Sequence, residues 1–304
     1  MAERSATKVR VGMGLGTATS SDATRFAALV DGLEALGFDS LWLSERVTAD
    51  SPDPVTALAF AACRTVRLKL GTAVTVLPGR NPMLLAKQLA TLDRLSLGRL
   101  LPAFGLGIAS RGEQQAFGVA RNERGSRFDE MLPLLRRFWT EEEVNHKGKW
   151  FRYERASVRP LPLQNPLELW IGGSAPSELT RCGKMGDGWL PSFTPPSQVE
   201  KGRAEIEKVA AKAGRSIEPD HFGVLVPYVE GDEVPERLAA LARRRSPDAE
   251  LTDVVAPSLK ALRSLLERFI EVGASKFVVV PVVEPQNWDA HVAELADAVQ
   301  PLET

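Results

Sequence analysis

Cysteine and histidine are scarce in this chain of 304 residues. Two cysteines, Cys63 and Cys182, cannot build a disulfide framework at this length. Both fall in helical patterns, so buried thiols in a reducing cytoplasm are expected. The three histidines, His146, His221 and His291, fall in a candidate hairpin, at the start of a candidate strand and on the last helical pattern. Those places predict solvated or capping roles, and with them no metal centre and no histidine relay. No carboxylate pair is spaced for hydrolysis, and no G-x-S-x-G elbow occurs. An excess of one charge is missing too. Lys and Arg number 38 against 39 Asp and Glu, a formal net charge of −1, so no basic face points to nucleic acid. No apolar run nears the roughly 20 residues of a membrane span. Residues Met1 to Lys8 carry no apolar signal core, which predicts a cytoplasmic protein acting on a small molecule.

What is present is alternation. Hydrophobic residues at 44% and charged residues at 25% are ordinary for a globular domain. Short β-rich runs occur at 9–15, 40–44, 68–77, 100–107, 167–172, 188–192, 222–229 and 277–283, with helical periods between them. Phe26, Leu29, Val30 and Leu33 mark the first helix face and Leu259, Leu262, Leu266 and Phe269 a late one. Asp53-Pro54 and Asn81-Pro82 place a capping side chain before proline at a helix start. Eight strand–helix units imply a parallel sheet, and in about 300 residues they predict an α/β fold, a (β/α)8 TIM barrel. The chain reads as one domain, 1–304. One stretch, about 108–166, breaks the alternation after strand four. It holds two helical patterns (112–118 and 126–139), a hairpin at Lys147-Gly148 and a connector stiffened by Pro160, Pro162 and Pro166, and it reads as a rim insertion.

In such a barrel the chemistry sits at the carboxyl ends of the strands. Strand two ends at Ser44-Glu45-Arg46. Strand four ends in Gly105-Leu-Gly107 and runs on to Ser110. Strand five ends in Gly172-Gly173-Ser174, just before a helix that starts near Pro176. Glycines there let backbone N–H groups approach an anion, and a helix N-terminus adds positive potential. The competing reading is a tight turn with a serine cap. Gly105 and Gly107 either let a flat ligand pack at the mouth or ease a turn. With no catalytic side-chain set in view, a cofactor is expected to carry the reaction.

Several segments resemble the bacterial luciferase-like monooxygenase family. They are Leu33-Glu-Ala-Leu-Gly-Phe-Asp-Ser-Leu-Trp-Leu43, Leu70-Gly-Thr-Ala-Val-Thr-Val-Leu-Pro78, Asn81-Pro-Met-Leu-Leu-Ala-Lys-Gln-Leu-Ala-Thr-Leu-Asp93 with Gly98-Arg99, Glu123-Arg-Gly-Ser-Arg-Phe-Asp-Glu130, Trp170-Ile-Gly-Gly-Ser174 and Gly186-Asp-Gly-Trp-Leu-Pro191. They come in family order, and the pattern is most similar to the actinobacterial branch that uses the deazaflavin coenzyme F420. The resemblance implies a barrel whose mouth binds F420, or alternatively FMN. The phosphate would lie at Gly172, Gly173 and Ser174. The ring would lie against Ala73 and Val74, joined by a non-prolyl cis peptide, with Gly105, Gly107 and Ser110 beside it. It also implies a homodimer, formed through the apolar region that includes Leu58, Phe60 and Leu84.

Two positions depart from the branch. An acid–histidine pair after strand two is here Glu45-Arg46, and a glutamate after the strand-four glycines is here Ile108. Arginine is no general base near neutral pH. Arg46 is therefore expected to stabilise a negatively charged ring or bind an anion, and Glu45 to orient Arg46 or take a substrate proton. Otherwise the pair is a salt bridge on the rim. The leading expectation is hydride transfer between the ring and a small organic substrate. An FMN- and oxygen-dependent monooxygenase shares the fold, and a flavin-binding protein without turnover would suit the two altered positions. A nicotinamide dehydrogenase, drawn from Gly12-Met-Gly-Leu-Gly16 with Glu45 as ribose ligand, fits poorly because Thr17 stands where a third glycine is expected.

Overall fold

The computed structural model describes residues 7–17, 19, 22–108, 110–231 and 233–304. Eight parallel strands form the central sheet: β1 (Arg10–Leu15), β2 (Ser40–Leu43), β3 (Lys69–Val76), β4 (Leu100–Gly105), β7 (Trp170–Gly172), β8 (Gly188–Leu190), β9 (Gly223–Tyr228) and β10 (Lys276–Pro281). Their order is β8-β7-β4-β3-β2-β1-β10-β9. The bridges Trp189 to Phe222 and Ser192 to Leu225 join the two ends and close the ring. The fold is the expected (β/α)8 barrel.

Helices α1 (Ala23–Ala35), α2 (Pro54–Arg64), α3 (Pro82–Leu95), α6 (Pro176–Met185), α7 (Pro196–Lys212), α9 (Leu259–Glu271) and α10 (Trp288–Val299) surround the sheet. The caps read from sequence form as side-chain hydrogen bonds. Asp53 accepts from Thr56 N at 2.9 Å, and Asn81 accepts from Met83 N at 2.9 Å. Each satisfies a backbone donor that the first helical turn leaves free. Among the described residues no helix is long and apolar enough to cross a membrane.

Residues alternate faces along a strand, so a closed sheet needs two cores. The larger lies between sheet and helices and includes Val11, Met13, Leu41, Leu70, Val224 and Phe277. The inner one fills the barrel with Trp42, Trp170, Leu101, Ala103, Leu190, Val278 and Val280. Trp42 and Trp170 meet edge to face at 6.1 Å, and only glycine leaves them room. A Cβ on Gly71 would lie 2.2 Å from Trp42, and one on Gly188 would lie 2.3 Å from Trp170. Gly12 belongs to the same packing, since its Cβ would meet Ser40 Oγ at 2.2 Å. The Gly12–Gly16 run thus serves barrel packing, which removes the nicotinamide reading.

Between β4 and β7 come α4 (Arg111–Phe117), α5 (Arg124–Thr140) and the antiparallel hairpin β5 (Val144–Lys147) with β6 (Arg152–Ala156). Helix α5 packs into the helical ring. Its buried face includes Phe128, Met131, Leu135 and Phe138, and Trp139 Nε1 donates to Ala86 O of α3 at 3.0 Å. The hairpin and the proline connector are the parts that project. Glu130 of α5 holds the hairpin turn, accepting from Lys149 N, Trp150 N and Phe151 N at 2.9–3.1 Å. A further helix, α8 (Glu236–Arg245), fills the excursion between β9 and α9.

Three expectations are corrected here. Cys63 is exposed and only Cys182 is buried, because Cys63 falls on the outer face of α2 while Leu58, Ala61 and Ala62 face inward. Leu58, expected on the dimer face, is one of those inward residues; Phe60 and Leu84 are the exposed ones. His291 is not solvated. It lies on the inward face of α10, with Nε2 at 2.6 Å from the Tyr228 hydroxyl and Nδ1 against the Glu230 carboxylate.

Candidate active site

The mouth is built from strand ends. At the end of β3 the Ala73–Val74 peptide is cis, where the family resemblance implies it. The β3–β4 register shifts between Thr72 and Thr75. From β2, Ser44 Oγ donates to Ala73 O at 2.8 Å. The displaced Val74 side chain lies between two glycines. A Cβ on Gly105 would stand 2.5 Å from Val74, and one on Gly172 would stand 2.7 Å from it. Those glycines therefore admit the Val74 isopropyl group, and Gly107, at φ +75°, likewise clears Val76. Ser110 caps α4, accepting from Glu113 N at 3.4 Å.

Glu45 and Arg46 stand next to each other in sequence but do not pair. Glu45 is buried and accepts from Val76 N at 2.6 Å, while its other oxygen takes the Arg80 guanidinium. The expected pairing with Arg46 is thus replaced by Arg80, because the Glu45 side chain turns toward β3. Burial raises the Glu45 carboxyl above its ordinary value, against the opposing pull of Arg80 and the Val76 N–H. Among the described residues, Arg46 donates no side-chain hydrogen bond and forms no ion pair. Burial lowers its value; Glu113 opposes that, and Arg245 adds to it. Glu113 is itself buried and accepts from Thr48 N at 3.1 Å and Thr48 Oγ1 at 2.9 Å. Arg124 is spent on carbonyls of the segment that follows β4, donating to Ile108 O at 2.7 Å.

The Gly172-Gly173-Ser174 turn leads into α6 as expected. Gly173 has φ +90°, a region that side chains with a Cβ rarely adopt. Its carbonyl accepts from Trp189 Nε1 at 2.7 Å. The cap is not serine: Ala175 precedes the helix, and Glu178 reaches back to accept from Ala175 N at 2.9 Å. This internal carboxylate lies at the helix N-terminus, 3.0–3.4 Å from where a Gly173 Cβ would be. Burial raises its value, opposed by Arg181 and the Ala175 N–H. Beside the turn, Ser174, Thr194, Gln198, Lys201 and Trp189 line a cavity of about 200 Å³.

Sequence reasoning missed Arg80 and Glu178. Nothing local links Arg80 to Glu45. Glu178 carried a signal, since an acid three residues into a helix can reach back to the cap N–H. Among the described residues no three His, Cys, Asp or Glu side chains gather as metal ligands.

A parallel eight-stranded barrel with a register shift and two glycines packed on Val74 at its strand carboxyl ends defines the class as a TIM-barrel protein. The luciferase-like monooxygenase profile matches residues 5–264, and the chain belongs to that family. It is 31% identical over 69% of its length to an FMNH(2)-dependent dimethylsulfone monooxygenase of Pseudomonas fluorescens, of which the match covers 58%. It is 28% identical over 90% of its length to an F420-dependent glucose-6-phosphate dehydrogenase of Nakamurella multipartita, covering 82% of that protein. For several curated relatives the chain spans about half of their length. In fold it is similar to an F420-dependent secondary alcohol dehydrogenase solved with an F420-acetone adduct. That TM-score is 0.82 at 19% identity, covering 98% of this chain and 100% of the other.

Proposed function

We propose that this protein is an oxidoreductase that transfers a hydride between coenzyme F420, or alternatively FMN, and a small organic substrate. The observation that carries the reading is the joint at the mouth. The Ala73–Val74 segment is tied to Ser44 and seated between Gly105 and Gly172, with Arg46, which forms no ion pair among the described residues, on the neighbouring strand end. The residues suit a flat anionic cofactor. Ala73 and Val74 offer an apolar wall for a ring, and Gly107 keeps the strand-four end clear. The Gly173 and Ser174 N–H groups offer donors to a phosphate. When bound, the ring supplies or accepts the hydride.

The chain's own residues then divide the work. Arg46 sets positive potential where the ring gains negative charge, an effect that is large in a water-poor site. Glu45 serves the frame of the site, tying β2 to β3 next to the bulge through Arg80 and the Val76 N–H. Ser110 supports the site through the α4 cap. Similarity to an FMNH(2)-dependent relative supports a second reading, FMN with oxygen.

Titration of purified protein with F420 and with FMN, read by absorbance and by mass spectrometry of retained cofactor, tests the reading. Retention of F420 with substrate-dependent reduction or oxidation of its absorbance supports hydride transfer, and retention of FMN with oxygen uptake supports the monooxygenase. Retention of neither overturns the proposal. We also infer a cytoplasmic homodimer. Phe60 at 41% and Leu84 at 66% exposure present apolar surface on α2 and α3, and the free thiol of Cys63 suits a reducing compartment. Light scattering at micromolar concentration should give twice the chain mass; a monomer rejects the dimer.

A further inference from the structure

The short helix α4 is fastened to the ends of two strands, β2 and β3. After β2 the chain turns at Val47-Thr48, with Ala49 N donating to Arg46 O at 3.3 Å. Glu113 of α4 grips the tip of that turn. One of its carboxylate oxygens accepts from Thr48 N at 3.1 Å and from Thr48 Oγ1 at 2.9 Å. The approach is close: a Cβ on Gly112 would lie 2.7 Å from the Thr48 methyl group. The far end of α4 meets the loop after β3. A Cβ on Gly79 would lie 2.3 Å from Phe117 O, and the Arg80 guanidinium lies 5.9 Å from the Phe117 ring.

Glu113 is 1% exposed and forms no ion pair among the described residues. A carboxylate taken out of water in this way is unfavourable unless hydrogen bonds compensate it. It stands three residues after the Ser110 cap, where an acid commonly turns back to the cap N–H. Here the carboxylate goes to Thr48 on the neighbouring strand end. Arg46 needs such a support. Its half-buried side chain has no hydrogen-bond or ion-pair partner among the described residues, so its place is set by the turn that carries it.

We propose that Glu113 is the positioning residue for Arg46: through Thr48 it fixes the turn after β2 and so holds the guanidinium at the mouth. This deepens the hydride-transfer reading and rests on it for what Arg46 does there. The hydrogen-bonding oxygen of Glu113 carries the role. Its negative charge is felt at Arg46, and taken alone would weaken the positive potential that a reduced ring needs.

Wild type, Glu113→Ala, Glu113→Gln, Thr48→Val and Arg46→Ala are compared by hydrogen exchange at the Thr48 amide and by affinity for oxidised and dithionite-reduced F420 and FMN. Glutamine keeps an oxygen that can accept from both Thr48 donors; alanine keeps none. We expect Glu113→Ala to lose Thr48 protection and roughly tenfold of the preference for reduced cofactor, a part of what one lost donor removes. Glu113→Gln should keep both. Thr48→Val removes one donor and leaves every charge in place, and should lose a smaller part of the preference. On an Arg46→Ala background, Glu113→Ala should change the preference no further, because the two act as one unit. Failure of Glu113→Gln equal to that of Glu113→Ala assigns the role to charge and overturns the proposal. So do additive effects in the double variant, a wild-type preference in Thr48→Val, or unchanged Thr48 protection in Glu113→Ala. A wild-type preference in Arg46→Ala overturns this inference together with the role given to Arg46. Glu113-dependent Thr48 protection in a protein that retains neither cofactor supports the fixing of the turn and rejects the hydride-transfer reading alone.

Discussion

The two ends of the barrel treat charge in opposite ways. At the amino ends of the strands, charges close on one another. Lys276, buried at the start of β10, donates to Asp39 before β2, and Lys69 adds a second contact at 3.3 Å. Glu303 accepts from Val11 N at 2.7 Å, and the Arg99 guanidinium donates to the carbonyls of Leu68 and Thr65 at 2.6 and 2.8 Å. At the carboxyl ends, Arg46 forms no ion pair among the described residues, Gly107 and Gly173 take positive φ, and a register shift breaks the β3–β4 ladder. One end uses its polar groups to hold the barrel; the other, on the proposed function, keeps donors open for a ligand.

The comparison breaks most clearly if charge at the closed end is removed without effect. Lys276→Ala leaves Asp39 buried without its main partner, and a broken buried pair costs about 3–5 kcal/mol. Chemical denaturation should show a loss of that size. Burial alone would raise the Asp39 value, but Lys276 and Lys69 outweigh it and hold the carboxyl low. A depressed carboxylate contributes stability that is complete above its unfolded value, about 3.9, and is lost as pH falls through the folded one. The wild type should therefore lose this contribution only in strong acid, whereas in Lys276→Ala, where burial is left to raise the Asp39 value, the deficit against the wild type should shrink as pH falls and the carboxyl takes up its proton.

At the open end the largest expected effect is kinetic. Arg46→Ala should slow hydride transfer in single-turnover experiments by roughly 10²–10³-fold, the scale of one lost preorganised donor, with little change in melting temperature. Glu45→Gln should do the reverse, lowering stability and leaving the single-turnover rate near normal, because Glu45 acts on Arg80 and Val76. A normal rate in Arg46→Ala would remove the contrast between the two ends.

Next comes the cradle. Gly173→Val places a branched residue at φ +90° within reach of Glu178, and cofactor affinity should fall at least tenfold, about 1.4 kcal/mol. Unchanged affinity in a folded variant rejects the phosphate site.

The smallest effect sharpens the picture. The Glu178 carboxylate occupies the helix end that an incoming phosphate also favours. Because burial raises its value, its proton is kept to higher pH than an ordinary glutamate would keep it. Cofactor affinity should decline severalfold as pH rises through that raised value. Glu178→Gln should bind more tightly and show a flatter pH profile; an unaltered profile would clear Glu178 of any part in cofactor binding.

Much of the barrel was legible because its signals are local. Asp53 and Asn81 cap the helices that their proline neighbours announce, and the helix faces follow the 3.6-residue period. Gly172-Gly173-Ser174 reads as a turn from composition alone. The site was legible only in part. Gly105 and Gly172 stand out as small residues, but what they make room for is Val74, thirty and more residues earlier. The tie between Glu45 and Arg80 crosses two strand ends, and sequence adjacency pointed wrongly to Arg46. Cys63 and Leu58 changed places relative to the expectation because helix α2 is apolar on more than one face, and only docking on the barrel chose the buried side.

The sequence by itself determined the number and order of the strands, the capped helix starts, the glycine turn before α6 and the positions of the two departures at Arg46 and Ile108. Each depends on residues within a few positions of one another. Tertiary structure alone decided which charges close and which remain open. Pairing between Asp39 and Lys276 depends on β1 lying between β10 and β2, which brings residues 237 positions apart to the same end of the barrel.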